Sequence, residues 1–423
     1  MNLQKFFDFH RRQITSLATQ HRRYLHSSIE LEQRALLLYG FRGVGKTTLL
    51  LQMAQSQYRD IEQWLYLTAD FYLLAERPVY ELVEEYIKQQ PGKLIVIDEV
   101  QKLPDWRRIV KNLIDGFPEQ KFWFSGSSSI NLTEHTHSTD TAMRQFDADL
   151  NRRLSRYELR PMSFREYLVF RHNLDLPAYP LGDLLASHTK IAEDLVATTK
   201  ALNTTILKEF RAYLQHGCYP FYFESENNEV VLSRLQALVE DVIDQDIGQL
   251  LGLKTQERHS VKKLYATIAS SPPFEPNIAK LAEAAQVHRE KIYQFLHYLE
   301  MAGLTRNIYR DISKAMHITS KADKICLANT NLQVAHSDPR IVSDRQTGSA
   351  REVFFVSNFL ASTLVSHPRR ADFMVGELSF EIGGAAKSRR QVWNEDHPYV
   401  IVDDTEVLYE SGKVPLYLFG FLY

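Results

Sequence analysis

The chain is poor in cysteine, in net charge and in long apolar runs. Cys218 and Cys326 are its two cysteines in 423 residues, too few for a disulfide framework and in keeping with a reduced compartment. The formal net charge is −2, so no global field draws the protein to nucleic acid or to a membrane, and any DNA contact needs a local basic patch. No stretch is long enough to cross a bilayer. The terminal run 414–423 is short and broken by Pro415 and Gly420, and it reads as a buried terminal strand. Lys5, Asp8, Arg11 and Arg12 interrupt any signal-peptide pattern. These absences predict a cytoplasmic protein with no membrane partner. The hydrophobic content of 44% suffices for several cores, and the length suggests about three domains at ~150 residues each.

What is present begins at residue 36. The apolar run Leu36-Leu37-Leu38-Tyr39 leads into Gly40-Phe41-Arg42-Gly43-Val44-Gly45-Lys46-Thr47, followed by Thr48 and a helical pattern. Strand, glycine-rich turn and helix in that order describe a phosphate-binding loop. Its main-chain N–H groups and the positive end of the following helix wrap a polyphosphate. Gly40, Gly43 and Gly45 let the chain turn without a Cβ facing the phosphates. Lys46 reaches the β- and γ-phosphates, and the Thr47 hydroxyl ligates Mg²⁺. A second run, Leu94-Ile95-Val96-Ile97-Asp98-Glu99, lies 52 residues beyond Lys46. Its apolar part reads as a strand buried on both faces. That puts Asp98 at the carboxyl end of a sheet strand, where ligands bind. Asp98 is placed to hold magnesium, and Glu99 to polarise an attacking water.

Strands alternate with helices around these motifs. Strands are expected at Leu36–Tyr39, Gln63–Leu67, Leu94–Ile97 and Lys121–Ser125, and helices at Lys46–Gln57, Pro78–Gln89 and Trp106–Phe117. The alternation predicts an α/β parallel sheet covered by helices. Residues 1–33 read as mostly helical. Residues 131–149 are polar, and His135 and His137 there, with no cysteine partner, read as solvated. Long helical patterns at Asp194–Leu214 and Glu229–Leu251 flank a break at His216-Gly217-Cys218-Tyr219-Pro220-Phe221, the pattern of a helical lid.

From 260 to 310 the order is helix, helix, turn at Gln286-Val287-His288, helix, strand, as in a winged helix-turn-helix. Arg289, Lys291, Gln294 and His297 fall on the exposed side of the last helix, and Glu290 and Glu300 dilute their charge. Residues 286–297 therefore suit either DNA contact or docking against protein.

Taken together, these motifs resemble prokaryotic AAA+ ATPases that join a P-loop core to a winged helix and a C-terminal domain of uncharacterised function, distantly similar to restriction-endonuclease folds. The resemblance runs along nearly the whole chain. It rests on Gly40–Thr48, Asp98-Glu99-Val100-Gln101-Lys102 with Trp106, Ser125–Ser129, Arg160-Pro161-Met162-Ser163-Phe164-Arg165-Glu166-Tyr167 and Gly217-Cys218-Tyr219-Pro220. It implies a P-loop AAA+ core at 1–170, a helical lid at 171–256, a winged helix-turn-helix at 257–320 and a degenerate α+β restriction-endonuclease-like domain at 321–423. It implies ATP rather than GTP, in keeping with the absence of an Asn-Lys-x-Asp motif. In such ATPases a polar residue at a strand end senses the γ-phosphate, which nominates Ser127 or Ser128 against a plain turn. By position Arg153, beside Arg152 and Arg156, is the candidate arginine finger, against a surface basic cluster. In the C-terminal region the resemblance nominates Glu352 at the start of the helical run Val353–Leu364, then Asp372, Glu381 and Lys387, as metal ligands and lysine of a nuclease-like site. Gly383 stands where a Glu-x-Lys motif has its lysine. Three functions remain open on this reading: a Mg²⁺-dependent ATPase signalling to DNA or a protein partner, a nucleotide-gated switch with little hydrolysis, and an ATP-controlled nuclease. A homo-oligomer is compatible with each.

Overall fold

In a computed structural model the protein is described for residues 3–423, except 76, 90–91, 129–149, 226, 272, 274, 311–320, 337–343, 360–364, 369 and 385–397. His135, His137, Ser129 and Lys387 thus lie outside the described residues. Two compact units emerge, Met1–Arg160 and Pro161–Tyr423.

The first unit is built on strands β1 (Ala35–Gly40), β2 (Trp64–Thr68), β3 (Leu94–Asp98), β4 (Lys121–Ser127) and β5 (Ser155–Glu158). They form one sheet in the order β2-β3-β4-β1-β5, and every pairing is parallel. Parallel neighbours need crossovers. Helices α2 (Lys46–Gln57), α3 (Val79–Gln89) and α4 (Trp106–Gly116) supply them. Leu37, Leu65, Leu67, Ile95, Ile97, Phe122 and Phe124 share a core with Leu82, Val83 and Tyr86 of α3 and Val110 and Leu113 of α4. Alternation along each strand turns the other set, ending in Tyr66, Asp98, Ser125 and Ser127, to the opposite face.

Two expectations about this unit change. Residues 1–33 are not one long helix: α1 spans Gln4–Thr15, and a short 3-10 turn follows at Tyr24–Ser27. Helix α1 packs along edge strand β2, with His10 edge-on to Trp64 at 4.1 Å. Burial pushes His10 down to about 4, and neighbouring Arg11 adds to the shift. Edge strand β5 has no counterpart in the sequence reading, because Ser155-Arg156-Tyr157-Glu158 lacks an apolar run and all four residues are half-buried.

The second unit opens with α5 (Phe164–His172), started by a capping box in which Ser163 and Glu166 exchange bonds with each other's main chain. Phe164 of α5 lies against Phe210, Tyr213, Tyr417 and Phe421. This aromatic packing joins α5 to the second unit. Helices α6 (Leu181–Ala201) and α7 (Ile206–His216) replace the single helix expected at Asp194–Leu214, since Thr205 caps a new helix. Helix α8 (Asn228–Asp241) runs into a π-helical turn, Val242–Ile247. Then come α9 (Thr255–Ala269), α10 (Ile278–Ala285) and α11 (Arg289–Met301), an antiparallel pair β6 (Thr305–Ile308) and β7 (Lys324–Leu327), α12 (Thr330–His336) and α13 (Asp344–Ser357).

A second sheet closes the unit: β8 (Val365–Ser366), β9 (Phe373–Val375), β10 (Leu378–Gly383), β11 (Pro398–Val402) and β12 (Lys413–Pro415) in sequential order. The β8-β9-β10 pairings are antiparallel, and β10-β11-β12 are parallel. The end of the chain is only partly the expected strand. After β12 it turns into a buried 3-10 helix, Leu416–Phe421. The elements expected as lid, winged helix and C-terminal domain thus pack as one unit.

The break after α7 is fastened by Asn331. Its amide accepts from Cys218 N at 2.8 Å and donates to the Tyr213 and Leu214 carbonyls at 3.1 and 2.9 Å. Asn331 is fully buried, so these groups have no water to replace it. Asn331→Ala is expected to cost about 3 kcal/mol, read as a lower urea midpoint with an unchanged slope. A loss below about 0.5 kcal/mol contradicts this role for Asn331.

Candidate nucleotide-binding site

The carboxyl ends of β1, β3 and β4 meet the amino end of α2. Gly43 and Gly45 sit at φ 76° and 92°, a region closed to most side chains. Gly45 caps α2 in the left-handed conformation with no side-chain bond, and the first turn of α2 holds no acidic residue. Its leading N–H groups and dipole therefore favour an anion. A Cβ at Gly40 would lie 2.1 Å from the Leu159 carbonyl oxygen, so this glycine makes room for the chain leaving β5. Val44 is fully buried, Arg42 and Thr48 are half-buried, and all three lie within the loop or the first turn of α2.

Lys46 is buried. Its ammonium donates to the Gly40 and Phe41 carbonyls, both at 3.1 Å, and faces Glu99 Oε1 at 3.9 Å. Glu99 also accepts from Gln101 Nε2 at 2.6 Å. Its backbone is left-handed at φ 55°, a conformation that costs a non-glycine residue energy and clusters at functional sites.

Asp98 is the centre of the arrangement. Its Oδ2 accepts from Thr47 Oγ1 at 2.7 Å and from the Tyr66 hydroxyl at 2.9 Å, and its Oδ1 accepts from Ser125 Oγ. Burial raises the Asp98 carboxyl above the usual range, and the Glu99 charge adds to it. The hydroxyls of Ser125, Thr47 and Tyr66 pull the other way. The donor set is all oxygen, at a helix start that prefers negative charge, and it fits a hard divalent cation on a phosphate.

Tyr66 and Ser125 had no role assigned by the sequence. Register brings them together: Ile97 pairs with Phe124, placing Ser125 beside Asp98, and Thr68 pairs with Asp98, placing Tyr66 two residues back on the same face. Arg23, also unassigned, is buried and donates to the Val44 carbonyl and to the Arg160 carbonyl, the latter at 2.7 Å. It ties the amino-terminal segment to the loop. Only the period of two in Trp64-Leu65-Tyr66-Leu67 hinted at Tyr66.

Ser127 ends β4 opposite Gly40 and is buried, and Ser128 N donates to Gly40 O at 3.0 Å. Ser127 thus faces the same side as Ser125, next to the loop. Arg153 does not join the site. It precedes β5, whose first residue Ser155 pairs with Leu36, and it bonds Asp115 Oδ1 at 2.8 Å near the end of α4. That end of the sheet is roughly 13 Å of strand from the loop.

The other candidates lie in the second unit. Arg289 and Gln294 on α11 are exposed and His297 is half-buried. Lys291, expected on the exposed side, is half-buried and ion-paired with Glu257 of α9. Glu300 is pushed up to about 7 by burial and accepts from Asn307 N at 2.8 Å. Glu352 lies well inside α13, not at a helix start, because that helix already begins at Asp344. Asp372 immediately precedes β9 and Glu381 lies in β10. Among the described residues no group of three or more His, Cys, Asp or Glu is arranged to hold a metal ion. No described helix is long and apolar enough to cross a membrane.

The raised Asp98 carboxyl makes a stability prediction. A buried acid whose folded value exceeds its unfolded one stabilises the protein most below the unfolded value, near pH 4. That contribution is lost as pH rises through the folded value. Asp98→Asn has no such loss. Its melting temperature, measured without nucleotide or metal, is expected to gain on wild type as the pH rises above about 4, until the wild-type carboxyl is ionised. A difference independent of pH contradicts this.

Residues 32–168 match the family model of an AAA domain, and residues 207–338 match a domain of unknown function, DUF8612. The uncharacterised protein MJ1637 of Methanocaldococcus jannaschii is 25% identical over 384 residues, covering 85% of this chain and 78% of that protein. Among solved structures, AMPPCP-bound DnaA from Aquifex aeolicus is similar with a TM-score of 0.27 and 14% identity, over 65% of this chain and 84% of that one. The S. cerevisiae Hsp104-ADP complex gives 0.31 and 15%, over 71% of this chain. The chain spans less than half of the Hsp104 chain, at 42%. The match to the AAA domain model over 32–168 takes in the glycine loop and all five strands of the parallel sheet.

Proposed function

We propose that the protein binds and hydrolyses ATP with Mg²⁺ at the junction of Gly40–Thr48 with Asp98 and Glu99. The observation that carries this is the 2.7 Å bond between Thr47 and Asp98 beside a lysine 3.9 Å from Glu99. It joins the two motifs that such a reaction needs on one sheet edge.

Thr47 and Asp98 would hold the metal, which when bound neutralises charge on the phosphate oxygens. Loop amides and the start of α2 bind the triphosphate. Lys46 exchanges its carbonyl partners for phosphate oxygens as the substrate enters. Glu99, held by Gln101, orients water in line with the γ-phosphate, and Ser127 senses that group from the end of β4. Little covalent help is needed, because the reaction is accelerated by positioning and charge stabilisation. Arg153 would act only on nucleotide held by a neighbouring copy, as a homo-oligomer allows.

We read helices α9, α10 and α11 with the β6-β7 pair as a winged helix-turn-helix. Through 286–297 they would carry the nucleotide state to DNA or to a protein partner. Arg289 and Gln294 are the exposed contact candidates there.

Lys46→Ala is expected to abolish ATP binding, and Glu99→Gln to keep binding while stopping phosphate release. Turnover unchanged in both variants defeats the proposal. Phosphate release is also measured with and without duplex DNA at several salt concentrations. A stimulation that fades with salt favours a DNA target through phosphate contacts, and no DNA effect at low salt favours a protein partner.

A further inference from the structure

Two buried cations hold carbonyls of the phosphate loop. Those of Gly40 and Phe41 accept from the Lys46 ammonium, and that of Val44 accepts from Nη1 of Arg23. Arg23 is 5% exposed and stands just before the 3-10 turn Tyr24–Ser27. Its Nη2 donates to the Arg160 carbonyl at 2.7 Å, and its guanidinium carbon lies 5.9 Å from the centre of the Tyr24 ring. The Tyr24 hydroxyl donates to the Glu158 carbonyl at 2.9 Å, and Leu159 N donates to the Tyr39 carbonyl at 2.7 Å. One arm of the guanidinium is thus anchored on the stretch that runs out of β5, alongside β1. The planar fork is rigid, so anchoring one arm fixes where the other can hold a carbonyl.

A trans peptide unit is planar, and its N–H points opposite to its C=O. With the Val44 carbonyl held on Arg23, the Gly45 N–H is directed away from Arg23. Gly45 is the N-cap of α2, at φ 92°, where the leading N–H groups have no partner within the helix. Left unheld, this peptide unit turns over at little cost, because the glycine that follows it accepts φ of either sign. Turned over, it offers the phosphates a carbonyl oxygen in place of a donor. We propose that Arg23 is a positioning residue for the triphosphate: by holding the Val44 carbonyl it keeps the Gly45 N–H aimed at the α- and β-phosphates, which amides of such a loop cradle. This role rests on the ATP-binding reading of the loop.

The test is calorimetric titration of MgATP and of MgADP into the full-length wild type and into Arg23→Gln. The variant is expected to bind both nucleotides more weakly by the same factor, about tenfold or more, as for the loss of a hydrogen bond to a charged group. In steady-state turnover its KM is expected to rise by more than its kcat falls. Equal affinities in wild type and a folded Arg23→Gln overturn the role and leave the nucleotide site standing. A loss confined to MgATP also overturns it, since that places the effect at the γ-phosphate. Wild type that binds neither nucleotide overturns the site and the role together. If Arg23→Gln does not fold, a crystal structure of the wild type with MgADP decides. Gly45 N within hydrogen-bond distance of an α- or β-phosphate oxygen, with Arg23 still on the Val44 carbonyl, supports the role. Arg23 released from Val44, or turned onto the phosphates itself, overturns it.

Discussion

The first unit depends on one buried carboxylate. Asp98 collects hydroxyls from α2, β2 and β4 through Thr47, Tyr66 and Ser125. An acid buried to 3% exposure is costly to ionise. Three donors reduce that cost without removing it, so the carboxyl stays raised. Such an acid is poised to gain from a nearby cation, and the oxygen-rich surroundings make that cation a hard one. The same bonds lock three strands and a helix into one register, so that the parts of the site cannot drift apart.

Around this centre the loop is held from outside. Arg23 grips the Val44 carbonyl, and Lys102 bonds Asp70 at 2.6 Å, linking the segments that follow β2 and β3. Phe9 of α1 stacks on Phe71 at 4.6 Å and lies parallel to the Tyr66 ring at 6.0 Å. The amino-terminal segment therefore reaches the Asp98 hydroxyl cage through Tyr66 and the phosphate loop through Arg23.

How much of this was legible in the sequence follows from how local each signal is. Helix α2 and strand β3 were read almost to the residue, because glycine spacing and a both-faces-buried strand leave marks within a few positions. Strand β5 left none, being a polar edge. Tyr66 and Ser125 are ordinary strand residues until the register places them beside Asp98. The bond from Arg153 to Asp115 is likewise set by tertiary packing and leaves no local mark. In the second unit Glu352 is ion-paired with Lys324, which lies nearly thirty residues earlier in the chain. Only tertiary packing shows that pair.

The proposed ATPase requires the loop and Asp98 to form one metal-assisted triphosphate site. Isothermal titration of ATP into the folded chain, with Mg²⁺ and then with Mg²⁺ removed by chelator, tests it most directly. Single-site binding heat with Mg²⁺ that weakens strongly in its absence is the predicted result. No heat with Mg²⁺ and ATP, from protein whose circular dichroism shows it folded, contradicts the account.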